Sequence, residues 1–170
     1  MVPQSFRRTP ERAGYHNGLE AIMPAQQHAG GPDREHDGAA TGWQRLGQRL
    51  KKSTAGKAPG EPALIAGGVG FYLFARDFPN LFHLMAGARI NTERKFPELE
   101  AAIVDALQFF AVGFAGTGMA PNIVVNRTAV FVAALQGVIT QILHDRLHVA
   151  PAKTKAFVAN VCKMLIKGTR

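Results

Sequence analysis

One cysteine in 170 residues, Cys162, excludes an internal disulfide, and no Cys/His cluster with zinc-finger spacing accompanies it. Acidic residues are scarce, twelve against twenty Lys and Arg. No paired carboxylates and no Ser/His arrangement suggest general acid–base or nucleophilic chemistry. No stretch alternates with period two for long enough to make a strand. The two most apolar segments are both interrupted, one by Asp105 and the other by Asn126, Arg127, Gln136 and Gln141. Neither therefore offers the ~18 clean apolar residues of a membrane span. The opening "MVPQSFRRTPERAGYHNG" has arginines without an apolar segment behind them, which argues against a secretory signal. These absences give the expectation of a cytoplasmic, all-α protein that is not an enzyme and has no cofactor, no metal site and no membrane partner.

What is present is uneven. Apolar residues make up 46 % of the chain and charged ones 19 %. Residues 1–41 hold four basic and five acidic side chains, leaving sixteen and seven downstream, so the charge is −1 before Thr41 and +9 after it. The first segment is rich in Gly, Pro, His and Gln, with its only apolar cluster at Leu19, Ala21, Ile22 and Met23. It cannot bury enough apolar surface to offset chain entropy and is expected to be disordered, apart from a short helix near 17–23.

From Gly42 the pattern is helical. Trp43, Leu46 and Leu50 share a face of a first helix over about 42–54, closed by the turn formers of "STAGKAPG". A second helix starts near Pro62 and runs through "ALIAGGVGFYLFARD". Each of Gly67, Gly68 and Gly70 costs it about 1 kcal/mol relative to Ala, so close approach by a neighbouring helix is expected in return. Pro79 ends this helix and opens a third over about 79–88, which presents Leu81, Phe82, Leu84 and Met85. After the turn "RINTERK", a fourth carries Leu99, Ile103, Leu107, Phe110 and Phe114 on one face. The fifth, about 122–147, is apolar almost all round and expected to be buried on several sides. The sixth runs from Pro151 to a glycine cap at Gly168. The expected architecture is an antiparallel bundle of about six helices over 42–170, behind a low-complexity segment over 1–41.

Two features are open to two readings each. The stripe Arg45, Arg49, Lys51, Lys52, Lys57 in residues 45–57 has no acid among it and is either a solvated helix face or a contact for nucleic acid or an anionic surface. Eight of the eleven phenylalanines lie between Phe71 and Phe114, as an ordinary core or as the walls of an apolar cavity between helices. Elsewhere the structural reading prevails. His144 and His148, four apart on the expected fifth helix, have no third ligand nearby, and Cys162 sits in an apolar helical stripe. The glycines of "AGGVG" do not follow a strand, and Asn126-Arg127-Thr128, though a glycosylation tripeptide, lies inside an apolar helix.

The pattern F-A-x-x-x-P-x-L-F-x-L-M, carried by Phe74, Ala75, Pro79, Leu81, Phe82, Leu84 and Met85, resembles the C-terminal effector-binding domain of TetR-family transcriptional regulators. The resemblance is to the subgroup with a Trp-x-x-x-His-Gly signature, and it runs from "GWQRLGQRLKK" at Gly42 to "KMLIKG" at Gly168. Gly137 of that signature is kept, while Gln136 stands in place of His and Val132 in place of Trp. The resemblance implies a small hydrophobic effector held by Phe74, Phe82, Met85, Phe110 and Phe114. It also implies a homodimer, or a mixed dimer with an intact regulator, formed by helices five and six through Leu135, Val138, Ile142, Val158 and Leu165. "AGYHNGLEAI" resembles the family's opening, but nine residues between Ile22 and Pro32 are too few for the remaining helix-turn-helix. The segment 1–41 then reads as a deleted or scrambled remnant, and DNA binding is expected only where the missing domain is supplied.

Overall fold

Residues 32–87 and 96–168 are described in a computed structural model; for residues 32–37 and Gly87 only the backbone is considered. The expected short helix near 17–23 and the turn "RINTERK" lie outside the described residues. Those residues form six α-helices and no strand: α1 Pro32–Thr54, α2 Glu61–Asp77, α3 Pro79–Gly87, α4 Pro97–Ala115, α5 Pro121–Leu143 and α6 Thr154–Lys167. A 3₁₀ turn, Pro151–Lys153, leads into α6. The all-α bundle read from the sequence is what forms.

Proline starts these helices. It stands at the first or second position of α1 to α5 and of the 3₁₀ turn, and α2, α4 and α5 have no side-chain cap at all. A proline there carries no N–H to leave unsatisfied, and its ring fixes φ near the helical value, so it substitutes in part for a capping side chain.

The hub is α2, which touches each of the other five helices. Its buried face is Leu64, Gly67, Gly68, Gly70, Phe71, Tyr72, Phe74 and Ala75. The three glycines meet three different neighbours. A methyl group on Gly67 would lie 2.9 Å from Phe110 Cε1 of α4, and one on Gly70 would lie 2.5 Å from Ser53 Oγ of α1. One on Gly68 would collide with Cys162 Sγ of α6 and touch Leu135 of α5. The expected compensation for these glycines is therefore present, from three sides. Around this hub Phe71, Phe74, Phe82, Phe110, Phe114 and Phe131 are all at most 1 % exposed. Their rings pair Phe71 with Phe82 at 5.9 Å, Phe110 with Phe131 at 5.4 Å, and Phe114 with Phe131 at 5.5 Å.

Pro79 separates α2 from α3 by a single residue. Phe78, at φ −134° and ψ 60°, leaves the helical region as the residue before proline must, yet its N–H still donates to the Phe74 carbonyl at 2.8 Å. Two cations of α1 hold this elbow from outside. Arg45 lies 5.4 Å from the Phe78 ring centroid, and Arg49 pairs with Asp77 at 2.5 Å, where Arg76 also pairs at 2.7 Å. Hydrogen bonding from Arg76, with Arg49 adding to it, holds the Asp77 carboxyl below its ordinary range. Whatever stability this cluster gives is present above the ordinary carboxylate range and fades as pH falls through the lowered value.

Two boundaries differ from expectation. Helix α1 begins at Pro32, ten residues before Gly42, because Gly38 and Gly42 are contact points for α3: a methyl group on Gly42 would lie 2.6 Å from Met85 Sδ, and one on Gly38 3.1 Å from Leu84 Cδ2. Tertiary packing there overrides low helix propensity. Helix α5 ends at Leu143 rather than Leu147, since Asp145 turns into the left-handed region at φ 54° and the N–H groups of Arg146 and Leu147 donate back to the Gln141 carbonyl.

Gly68→Ala is expected to lower stability by about 1–2 kcal/mol, because overpacking in the upper half of the ~1–3 kcal/mol range, against the Cys162 sulfur, outweighs the ~1 kcal/mol gain in helix propensity. Urea unfolding checks this through a lower midpoint. In the double variant with Cys162→Ala the new methyl occupies the space of the sulfur, so the combined loss is expected to fall short of the sum of the single losses.

Candidate effector cavity and pairing face

The five residues proposed to line a cavity divide between core and wall. Phe74, Phe82, Phe110 and Phe114 are sealed in the aromatic core, and Met85 is half-buried at its edge. Phe82 and Met85 border a crevice together with Trp43, Phe71, Ala86 and Gln136, which in this conformation has no room for a water molecule. The crevice draws on α1, α2, α3 and α5, whereas the sequence points to a cavity among α2, α3 and α4. It adjoins a wider cleft of about 440 Å3 between α3 and α5, lined by His83, Ala86, Ala133, Gln136, Gly137, Thr140 and Gln141. Ala86 and Gln136 belong to both. Periodicity places Trp43 on a buried face and the aromatic cluster includes Phe71, neither being named as a lining residue, while Gln136 and Gly137 of the cleft enter only as signature positions.

The residues named for pairing also divide. Leu135 and Val158 are wholly buried and face the chain's own core, while Val138, Ile142 and Leu165 are half-buried. A partner therefore cannot rest on Leu135 or Val158. For Leu135 the reason is that α5 is apolar almost all round, so composition does not tell its inner from its outer side, while Val158 lies on the face of α6 buried with Val161, Cys162 and Ile166. The outer side is Asn122, Ile123, Val125, Asn126, Ala129, Val130, Ala133 and Gly137, with Ile123 42 %, Val125 68 % and Val130 56 % exposed. Towards its N-terminal end this side forms a groove of about 390 Å3 lined by Asn122, Ile123, Asn126, Arg127 and Val130. On α6, Met164 is 64 % exposed. Helix α5 is long and apolar enough to cross a bilayer, with a third of that stretch buried inside the bundle.

The remaining candidates settle into structural places. Arg45 and Arg49 are engaged at the α2–α3 elbow, which leaves Lys51, Lys52 and Lys57 exposed from the basic stripe. His144 and His148 do not share a helix face, because α5 has ended before them. His144 instead stacks on His83 of α3, with ring centroids 5.1 Å apart and planes 22° from parallel. Among the described residues no group of three or more His, Cys, Asp or Glu side chains is placed to hold a metal ion. Cys162 is buried, and loss of hydration pushes its thiol up to about 12.

No family model, no curated protein and no solved structure matches this chain.

Because the nucleophile is the thiolate, Cys162 is expected to resist a thiol reagent at pH 8 in the folded chain and to react once urea unfolds it; rapid labelling without denaturant would contradict this placement. Phe82→Ala is expected to cost about 3–5 kcal/mol in chemical denaturation, the range for a truncated core phenylalanine. A loss below ~1 kcal/mol would mean that Phe82 is a cavity wall with free space beside it.

Proposed function

We propose that this chain is the effector-sensing and dimerisation part of a TetR-like transcriptional regulator, without DNA reading of its own. The observation that carries the reading is the outer side of α5, where Val130, Ala133 and Gly137 are left exposed among the described residues. A methyl group on Gly137 would meet no atom within 4 Å, so that side is smooth enough for a second helix to approach closely. Pairing with the same helix of a second copy would be isologous, each α5 supplying the surface the other needs. The sequence resemblance and the hinged α2–α3 pair support the sensing half of the proposal.

In this reading an effector acts by binding one arrangement of the bundle better than another, the only way a ligand shifts such an equilibrium. The output passes through a partner subunit that carries a helix-turn-helix, so the functional species is a mixed dimer with an intact regulator, or a homodimer that sequesters effector. The competing reading, a binder of nucleic acid or anionic surfaces through residues 45–57, is weakened by the engagement of Arg45 and Arg49 within the chain.

Sedimentation equilibrium is expected to give twice the chain mass of 18.3 kDa at micromolar concentration. Val130→Arg, at an exposed position in the groove, is expected to yield a helical monomer by sedimentation and circular dichroism. A monomeric parent chain would remove the proposal. DNA binding that weakens steeply with salt would replace it with the basic-stripe reading, and retention on carbonate-washed membranes would replace it with a membrane role for α5.

A further inference from the structure

We infer that the cleft between α3 and α5, together with the crevice it adjoins, binds an uncharged amphipathic small molecule. Its polar head lies among Gln136, Thr140 and Gln141, and its apolar end lies against Trp43, Phe71, Phe82 and Met85. This rests on the sensing reading above, and it moves the site from the sealed aromatic core to a place with volume.

Three observations carry it. First, the cleft's 440 Å3 lies within the ~300–1,000 Å3 of small-molecule sites, and its neighbour supplies an aromatic end. Second, the polar groups on its wall are not used up. The side-chain amides of Gln136 and Gln141 make no hydrogen bond within the described residues. The Thr140 hydroxyl donates to the Gln136 carbonyl at 2.9 Å, which leaves its own oxygen free to accept. Two amides and a hydroxyl therefore offer both donors and acceptors. Third, among the described residues neither the cleft nor the crevice has an Asp, Glu, Lys or Arg on its wall. Apart from the imidazole of His83, an ion entering there would meet no ionisable side chain among the described residues to offset its lost hydration, so the site favours ligands without formal charge.

The closed crevice opens at its softest wall. Met85 is half-buried, unbranched and rotatable, and it sits on the nine-residue helix α3, which joins α2 through Phe78 alone. A shift of Met85 admits an aryl or alkyl end beside Phe82 without disturbing the core behind it.

The test uses the full chain and two probes that differ by one group: N-phenyl-1-naphthylamine, which is uncharged, and its 8-sulfonate. Trp43 is the chain's single tryptophan and borders the crevice, so energy transfer from it reports occupancy. Saturable binding of the uncharged probe is expected, with the sulfonate at least about tenfold weaker. Ala86→Phe fills the junction of the two recesses at an exposed position, and is expected to weaken the uncharged probe by about tenfold or more. Gln136→Lys supplies a cation and is expected to reverse the preference towards the sulfonate, which keeps the test decisive if Ala86→Phe fails to fold. Unchanged binding in both variants places the ligand elsewhere and overturns the cleft while leaving the sensing reading standing. Binding of neither probe to a chain that sediments as a dimer overturns the cleft and the sensing half of the proposed function, and leaves pairing intact. Equal affinity of the parent chain for both probes overturns the claim that the ligand is uncharged.

Discussion

Three glycines in one turn of α2 set the spacing of the whole bundle. Gly67, Gly68 and Gly70 present bare backbone to α4, α6 and α1, and Leu135 of α5 reaches the same point as Cys162. A helix with side chains there would push its neighbours outward by the thickness of a methyl group or more, and interhelical distance responds directly to the residues at the contact. The glycines cost α2 about 3 kcal/mol of intrinsic helix stability together. That cost is met only when all three neighbours have docked, so α2 is stable as a part of the bundle rather than as a helix alone. The aromatic core surrounds this contact: Phe71 and Phe74, one turn further along α2, share one buried cluster with Phe82, Phe110 and Phe114.

The same dependence explains which parts of the fold are legible from residues alone. Proline marks the starts because its effect is local, a fixed φ and a missing N–H, and needs no knowledge of the neighbours. The Phe78–Pro79 break is legible for the same reason. The start of α1 is not, because Gly38 and Gly42 look like helix breakers until Leu84 and Met85 are known to lie against them. The end of α5 is hidden as well: Asp145 in the left-handed region is a choice of chain reversal, and the apolar run simply continues past it in sequence.

The candidate site was less legible than the fold, for a physical reason that differs between its two parts. For the aromatic residues, periodicity identifies a buried face but cannot separate a ring packed on all sides from one at the edge of a crevice; Phe74 and Phe82 are equally buried, yet Phe82 alone of the two borders the crevice. For α5, an all-round apolar helix has little amphipathic asymmetry, so Leu135 was as plausible for pairing as Val130. Packing resolves the choice. The residues left outside mix branched apolar side chains, Ile123, Val125 and Val130, with small or polar ones, Asn126, Ala129, Ala133 and Gly137, so a hydrophobicity ranking does not pick them out.

Ala133 and Gly137 belong both to the outer side of α5 and to the wall of the cleft. A second α5 seated on that side would border the open edge of the cleft, so the two proposed events are not independent. If the partner completes the wall, occupancy favours the pair; if it narrows the opening, occupancy opposes it. In either case the coupling is reciprocal, and whatever factor the ligand imposes on dimer affinity the dimer imposes on ligand affinity. If the chain pairs as proposed, the ligand would act on pairing through contacts at two small residues, Ala133 and Gly137, without requiring any rearrangement of the glycine-packed core.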